Sequence, residues 1–265
     1  MTYSTLVATL LAGGIEEAKE EATLLFAHFG NVKPATLLVE DPDVISPLLD
    51  TALEKRLEGT PLAYLIGEVG FYRESYRVSP ACLIPRPDTE ILVEEAISRL
   101  PRGARFADFC TGSGCVAIST LAGRTDTVAD AYDISEDALA LAAENGVRNG
   151  VEKRLHLHHT DLLTSTLPLA WDAILSNPPY IRRDVIDTLS KEVQQEPRIA
   201  LDGGEDGLVF YQDILSKYNA CPLILFEIGY DQGEAITALG ESYGYTVTIR
   251  KDYGGNPRCA ILEHK

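Results

Sequence analysis

Residues 105–135 read RFADFCTGSGCVAISTLAGRTDTVADAYDIS, and this stretch decides the fold class. Arg105 to Phe109 reads as a strand, Gly114 to Ala122 as a helix and Thr127 to Tyr132 as a second strand. Ser135 then stands where its side chain can cap a helix reaching Arg148. The rhythm continues outward, with strands near 154–159 and 172–176, a helix around Leu208 to Tyr218, the apolar strand Pro222 to Ile228 and a helix from Gln232 to Tyr243. Such alternation predicts an α/β fold: a mostly parallel sheet covered on both faces. The last two strands, Tyr245 to Arg250 and Arg258 to Glu263, are joined by the Gly254-Gly255 turn. That connection is too short for a crossover, so the pair is expected to be antiparallel.

Toward the N-terminus the period changes. Val69, Phe71 and Tyr72, then Tyr76 and Val78, flank a polar Arg73-Glu74-Ser75 turn and predict a hairpin. Asp88 is placed to cap a helix from Thr89 to Leu100. Before the hairpin, apolar residues recur at helical spacing: Leu6, Leu10 and Leu11; Ala18, Ala22, Leu25, Phe26 and Phe29; Leu48, Leu49, Ala52, Leu53 and Leu57. Helices this short need one another, which predicts a small bundle, with the acids of Glu16 to Glu21 on a solvated face. The expected organisation is a helical domain over 1–66, a hairpin linker over 67–87 and the α/β domain over 88–265.

Composition narrows the function. The 265 residues carry 40 acids against 23 bases, a formal net charge of -17, and such a field repels a phosphate backbone. General nucleic-acid binding is therefore not expected. The apolar stretch Leu6 to Leu11 has no basic residue before it and is followed by acids, so it predicts neither a signal peptide nor a membrane helix. The 5 cysteines form no C-x-x-C pair. A cytoplasmic protein with free thiols and no membrane association is expected.

Two motifs carry chemistry. The first is the loop Cys110-Thr111-Gly112-Ser113-Gly114 after Asp108-Phe109, between a strand and a helix, with Asp133 19 residues beyond Gly114 at the next strand end. Missing side chains let a ligand approach the backbone and the helix N-terminus, and a strand-end carboxylate can accept both hydroxyls of a ribose. An adenosine-containing cofactor fits, and so does a nicotinamide dinucleotide. The second is Asn177-Pro178-Pro179-Tyr180 after an apolar strand. The Asn177 side chain and the Pro178 carbonyl can converge as acceptors beside the Tyr180 ring, a site suited to a planar –NH2 group. By contrast His156, His158 and His159 fall on alternating faces of a strand and read as satisfied or exposed histidines. Cys110 and Cys115 read as space-fillers.

With these residues in place the chain resembles the HemK/PrmC family of S-adenosylmethionine-dependent methyltransferases. Further landmarks are Pro61 to Gly67, Ile84-Pro85-Arg86-Pro87-Asp88-Thr89-Glu90, Asp133-Ile134-Ser135, Glu196-Pro197, Asp206-Gly207-Leu208 and Glu227-Ile228-Gly229. The resemblance implies a seven-stranded, Rossmann-like class I methyltransferase sheet. It implies cofactor contacts from the 110–114 loop, Asp133, Asp161-Leu162 and Asn177, with Asn177 to Tyr180 holding a glutamine. Cys110 stands where the family usually has glycine, Leu162 where an aromatic residue is common and Asp88 where a Glu is usual. The implied reaction methylates the side-chain amide nitrogen of a release-factor glutamine, in a Gly-Gly-Gln loop, and leaves S-adenosylhomocysteine. A sulfonium methyl is electrophilic enough to require no metal. The alternatives are a ribosomal-protein glutamine, an adenine amine of DNA or RNA, and a cofactor-binding scaffold without activity.

Overall fold

The protein is described by a computed structural model covering residues 1–264. In chain order the first helices are α1 (Tyr3–Ala12), α2 (Ala18–Phe29), α3 (Pro47–Leu57) and α4 (Leu62–Ile66). They are followed by β1 (Glu68–Phe71), β2 (Glu74–Arg77), α5 (Glu90–Arg99), β3 (Arg105–Phe109), α6 (Cys115–Gly123), β4 (Val128–Asp133), α7 (Glu136–Arg148) and β5 (Leu155–His159). The chain continues with β6 (Ala173–Ser176), α8 (Arg183–Ile186), α9 (Lys191–Gln194), α10 (Val209–Tyr218), β7 (Leu223–Glu227), α11 (Gly233–Ser242), β8 (Tyr245–Lys251) and β9 (Pro257–His264). No helix among the described residues is long and apolar enough to cross a membrane.

Two compact units form. The first comprises Met1–Gly67 together with Ser190–Gln195. Its core packs Leu6 and Leu10 of α1 against Ala22, Leu25 and Phe26 of α2 and Leu49, Ala52 and Leu53 of α3. Ser46 Oγ accepts from the Leu49 N–H at 3.3 Å, and Pro47 opens α3 without needing a donor. Here the expected stripe is corrected: Leu11, Leu48 and Leu57 are exposed. The buried face of α3 is Leu49, Ala52, Leu53 and Arg56, an i, i+3, i+4, i+7 set that leaves Leu48 a quarter-turn away. Arg56 is only 3% exposed and donates to Glu21 at 2.6 and 2.9 Å and to Glu192 of α9 at 2.6 Å. Glu21 thus leaves the solvated face expected for the acidic run, because the buried guanidinium requires a partner.

The second unit comprises Glu68–Leu189 and the chain from Glu196 onward. In its hairpin Phe71 faces Glu74, so the turn is Tyr72-Arg73 and not Arg73 to Ser75. This register buries Phe71 and Tyr76 against each other with ring centroids 5.8 Å apart, and a one-residue slip would turn both outward. The turn needs Tyr72 at φ 56, and Glu90 Oε1 holds it by accepting the Tyr72 N–H at 2.8 Å. Asp88 does not cap α5. The short 3-10 turn Pro87–Thr89 precedes that helix, and Asp88 pairs with Arg258 at 3.2 Å.

The large sheet has the order β5-β4-β3-β6-β7-β9-β8, with β9 antiparallel to both neighbours and the remaining pairs parallel. Alternate strand residues feed two cores. Phe106, Leu175 and Leu225 face Leu92 of α5 and Ile118 of α6, whereas Ala107, Ile174 and Phe226 face Ile214 of α10 and Ile236 of α11. Phe109 anchors the second core, 5.5 Å from Tyr132, 5.6 Å from Trp171 and 5.4 Å from Tyr218 by ring centroid. Phe109→Ala is expected to cost about 3–5 kcal/mol, the range for emptying a buried aromatic site. Urea denaturation followed through Trp171 fluorescence measures it, and a loss below about 1 kcal/mol would contradict this packing.

Candidate active site

The chain crosses from β3 to β4 to β5 on one side, then returns to place β6 on the other side of β3. Strand ends at such a reversal splay apart and leave a crevice. The loop after β3 bends through Cys110 at φ 60, Gly112 at φ 55 and Gly114 at φ 82. A Cβ on Gly114 would lie 2.8 Å from Ile118 Cδ1 and 3.2 Å from Ala142 Cβ, so glycine is required there for space as well as angle.

Two carboxylates hold this loop. Asp108 Oδ2 accepts the Thr111 hydroxyl at 2.6 Å and the Ala117 N–H at 3.1 Å. Asp133, at the end of β4, accepts the Gly112 N–H at 2.8 Å on one oxygen and the Ser135 N–H at 2.9 Å on the other. Sequence reasoning gave Asp133 a ligand to hold and missed that it also shapes the loop. Each of its oxygens retains a lone pair for a ligand hydroxyl. Burial raises both carboxyls, Asp108 to about 7. Burial, with Asp133 and Asp108 nearby, also keeps the Cys110 thiol protonated.

A cavity of about 240 Å³ runs along these strand ends. Cys110, Thr111, Gly112 and Ser113 line it after β3, Asp133 after β4, Asp161 and Leu162 after β5, and Asn177 and Pro179 after β6. Gly114, Pro178 and Tyr180 are not on its wall. Gly114 caps α6, Pro178 is buried, and the Tyr180 hydroxyl turns away to donate to Glu227 Oε1 at 3.2 Å. The Tyr180 backbone is gripped from behind: Gln232 Nε2 donates to its carbonyl at 3.1 Å, and a Cβ on Gly207 would meet that carbonyl oxygen at 2.4 Å. Gly207 is thus a landmark whose role is close backbone approach, invisible without the fold.

Sequence reasoning also missed the opposite wall, formed by Cys82, Ile84, Arg86 and Thr89. Buried Glu196 holds this wall, accepting the Ile84 N–H at 2.9 Å and pairing with Arg86. The Ile84 to Glu90 and Glu196-Pro197 landmarks were its signals, without a role attached to either. Asp161 caps its own turn through the Leu163 N–H at 3.0 Å and the Thr164 hydroxyl at 2.9 Å. Lys217 Nζ donates to the Leu162 carbonyl at 2.6 Å and fixes that rim. The His158 ring stacks on Tyr132, His159 binds the Ile134 carbonyl at 2.9 Å, and Arg182 and Arg183 pair with Asp184 and Asp202 at exposed positions.

The cavity suits an adenosyl cofactor with an amino-acid tail. It offers a strand-end carboxylate, apolar Ile134 and Leu162 for a planar base, and a loop whose backbone is open to close approach. Ser113, on its wall, carries a buried Oγ with no hydrogen-bond partner among the described residues. A raised carboxyl pKa means that the folded state holds the proton longer than the unfolded chain, so this group's contribution to stability falls as pH rises from about 4 to about 7. Asp108→Asn should therefore gain on the wild type across that window and level off above it, at about 1.4 kcal/mol per pK unit. Denaturation at a series of pH values measures the difference, and a constant difference would refute the buried, protonatable Asp108.

Comparison with known proteins agrees with this geometry. The family model described as "Methyltransferase small domain" matches residues 87–215, and the PrmC N-terminal domain matches residues 4–67. The release factor glutamine methyltransferase of Moorella thermoacetica is 36% identical, with 96% of this chain and 94% of that protein covered. Its counterpart from Cereibacter sphaeroides is 38% identical over 95% of this chain and 93% of that one. In fold, a methyltransferase from Pyrococcus furiosus superposes with a TM-score of 0.53 at 17% identity, over 71% of this chain and 87% of that one. The glycine loop, the strand-end acid and the Asn177 turn are therefore features of a chain that belongs to the release factor glutamine methyltransferase family.

Proposed function

We propose that this protein transfers the methyl group of S-adenosylmethionine to the side-chain amide nitrogen of the glutamine in a release factor's Gly-Gly-Gln loop. The observation that carries this reading is the cavity that joins the Asp133-anchored glycine loop to Asn177. When bound, S-adenosylmethionine supplies an electrophilic sulfonium methyl. The 110–114 loop and Asp133 hold it, with Asp161-Leu162 at the adenine edge. Asn177 Oδ1 and the Pro178 carbonyl accept the two N–H bonds of the substrate amide. This orients a delocalised, poorly nucleophilic nitrogen so that its lone pair faces the methyl. The apolar walls exclude water, and proton loss follows transfer, so no catalytic base is assigned.

Paired substitutions separate binding from chemistry. Asp133→Ala is expected to weaken cofactor binding by about 1.5–3 kcal/mol, the range for hydrogen bonds to a charged group, with some of this reflecting a slackened Gly112. Asn177→Ala is expected to lower single-turnover methyl transfer at least about 10²-fold while cofactor affinity holds. Calorimetry and rapid-quench assays measure the two. An Asn177→Ala enzyme altered only in the Michaelis constant would overturn the lone-pair assignment.

A loop presenting one glutamine offers little surface for recognition, so specificity needs contacts elsewhere, and residues 1–66 are proposed to dock the rest of the factor. Leu38, Val39 and Ile45 in that segment are 85, 82 and 93% exposed, unusual for large apolar side chains. Changing Leu38 and Val39 to Asp should reduce kcat/KM on intact release factor at least about 10-fold and leave a short Gly-Gly-Gln peptide unaffected. Equal rates on both substrates would remove the docking role. Labelling of adenine in nucleic acid, with none on the factor, would remove the substrate.

A further inference from the structure

Asn177 can present either end of its amide. Turned one way it offers Oδ1 to an incoming –NH2 group, and turned the other way it offers a second donor that repels it. A turn containing two prolines fixes the backbone and leaves this last rotation free. The structure contains a device that selects between the two. Asn177 Nδ2 donates to Thr89 Oγ1 at 3.3 Å. Thr89 is 1% exposed, sits on the 3-10 turn before α5 and lines the cavity together with Asn177.

Thr89 Oγ1 accepts this N–H, which holds Nδ2 on the Thr89 side and leaves Oδ1, at the other end of the planar amide, for a substrate donor. Glu227 lies at the end of β7 and is 2% exposed. Glu227 is itself defined by what surrounds it. Tyr180 donates to its Oε1 at 3.2 Å, and the positive Arg258 favours its charged form against burial and Asp88. Arg258 in turn is held by Asp252 at 3.1 Å and Asp88 at 3.2 Å. The turned-away Tyr180 hydroxyl thereby acquires a role, as one of the groups that keep Glu227 in place.

We propose that Thr89 is a positioning residue for methyl transfer: by accepting the Asn177 N–H it sets the amide so that Oδ1 meets the substrate –NH2. This rests on the glutamine-methylating function proposed above. If the wild-type enzyme methylates no glutamine, that function fails. If it does and Thr89 variants are normal, only the positioning role fails.

The experiment is single-turnover methylation of release factor by the full-length enzyme at saturating S-adenosylmethionine, with S-adenosylhomocysteine affinity measured by calorimetry. Thr89→Val, equal in shape but without the hydroxyl, should lower the rate at least about 10-fold with affinity changed less than about 2-fold, and Thr89→Ser should recover it to within about 3-fold. In an Asn177→Ala background, Thr89→Val should have less than about a 2-fold further effect, because a residue acting through another is silent once that one is gone. A normal rate for Thr89→Val, equal losses in Thr89→Val and Thr89→Ser, or a full Thr89→Val loss in the Asn177→Ala background would each overturn the proposal. Should Thr89→Val fail to fold by circular dichroism, Thr89→Ala takes its place, since it also removes the hydroxyl that accepts the Asn177 N–H. A lowered rate at unchanged affinity supports the proposal, and an unchanged rate overturns it.

Discussion

The Asp133 carboxylate, fastened to the Gly112 and Ser135 N–H groups, is the interaction on which the cavity depends. A loop with three left-handed bends in five residues does not hold itself, since each bend lies in a sparsely populated region for most residues. Asp133 pulls from the end of β4 and Asp108 from the end of β3, so the loop hangs between two neighbouring strands. The parallel register of β3 and β4 sets the distance between those anchors. The cavity wall from the start of α6 to the rim after β5 takes its position from this suspension.

Buried carboxylates recur throughout the second unit, and each has a distinct reason to be tolerated. Asp130 gathers Arg105 at 2.5 Å and the Trp171 indole N–H at 2.9 Å, and its pKa is lowered accordingly. Asp108 and Glu227 lack an adjacent cation of that strength, and burial raises both to about 7. Burying a charge without full compensation costs stability and persists where it organises polar groups. Asp108 organises the glycine loop, and Glu227 organises the turn that carries Asn177. In an acidic chain, carboxylates are the natural supply of such organisers.

Most of the strand–helix alternation was legible, because side-chain periodicity and caps such as Ser135 are local properties. The antiparallel end of the sheet was legible too, from the short Gly254-Gly255 connection. Misses cluster where two local rules compete. Arg73 to Ser75 is the more polar triplet, yet the turn sits at Tyr72-Arg73 because burying Phe71 and Tyr76 outweighs turn chemistry. Asp88 has capping chemistry, but Pro87 begins a tighter turn first and Arg258 claims the carboxylate. Leu48 is apolar and still exposed, because Arg56 occupies the inward face once Glu21 and Glu192 neutralise it.

Residue order alone was enough for the class of fold and for the glycine loop and the Asn177 turn, since each is written in neighbouring residues whose spacing constrains the backbone directly. The folded chain was needed to show that β9 inserts between β7 and β8, that Asp133 shapes the loop facing the cavity, and that Tyr180 points to Glu227 and not into the cavity. It was needed as well to show that Thr89 meets Asn177 across 88 residues of chain. The reason is the same in each case. Pairing order and hydrogen-bond direction depend on which distant donors and acceptors are buried together, and burial belongs to the folded chain as a whole.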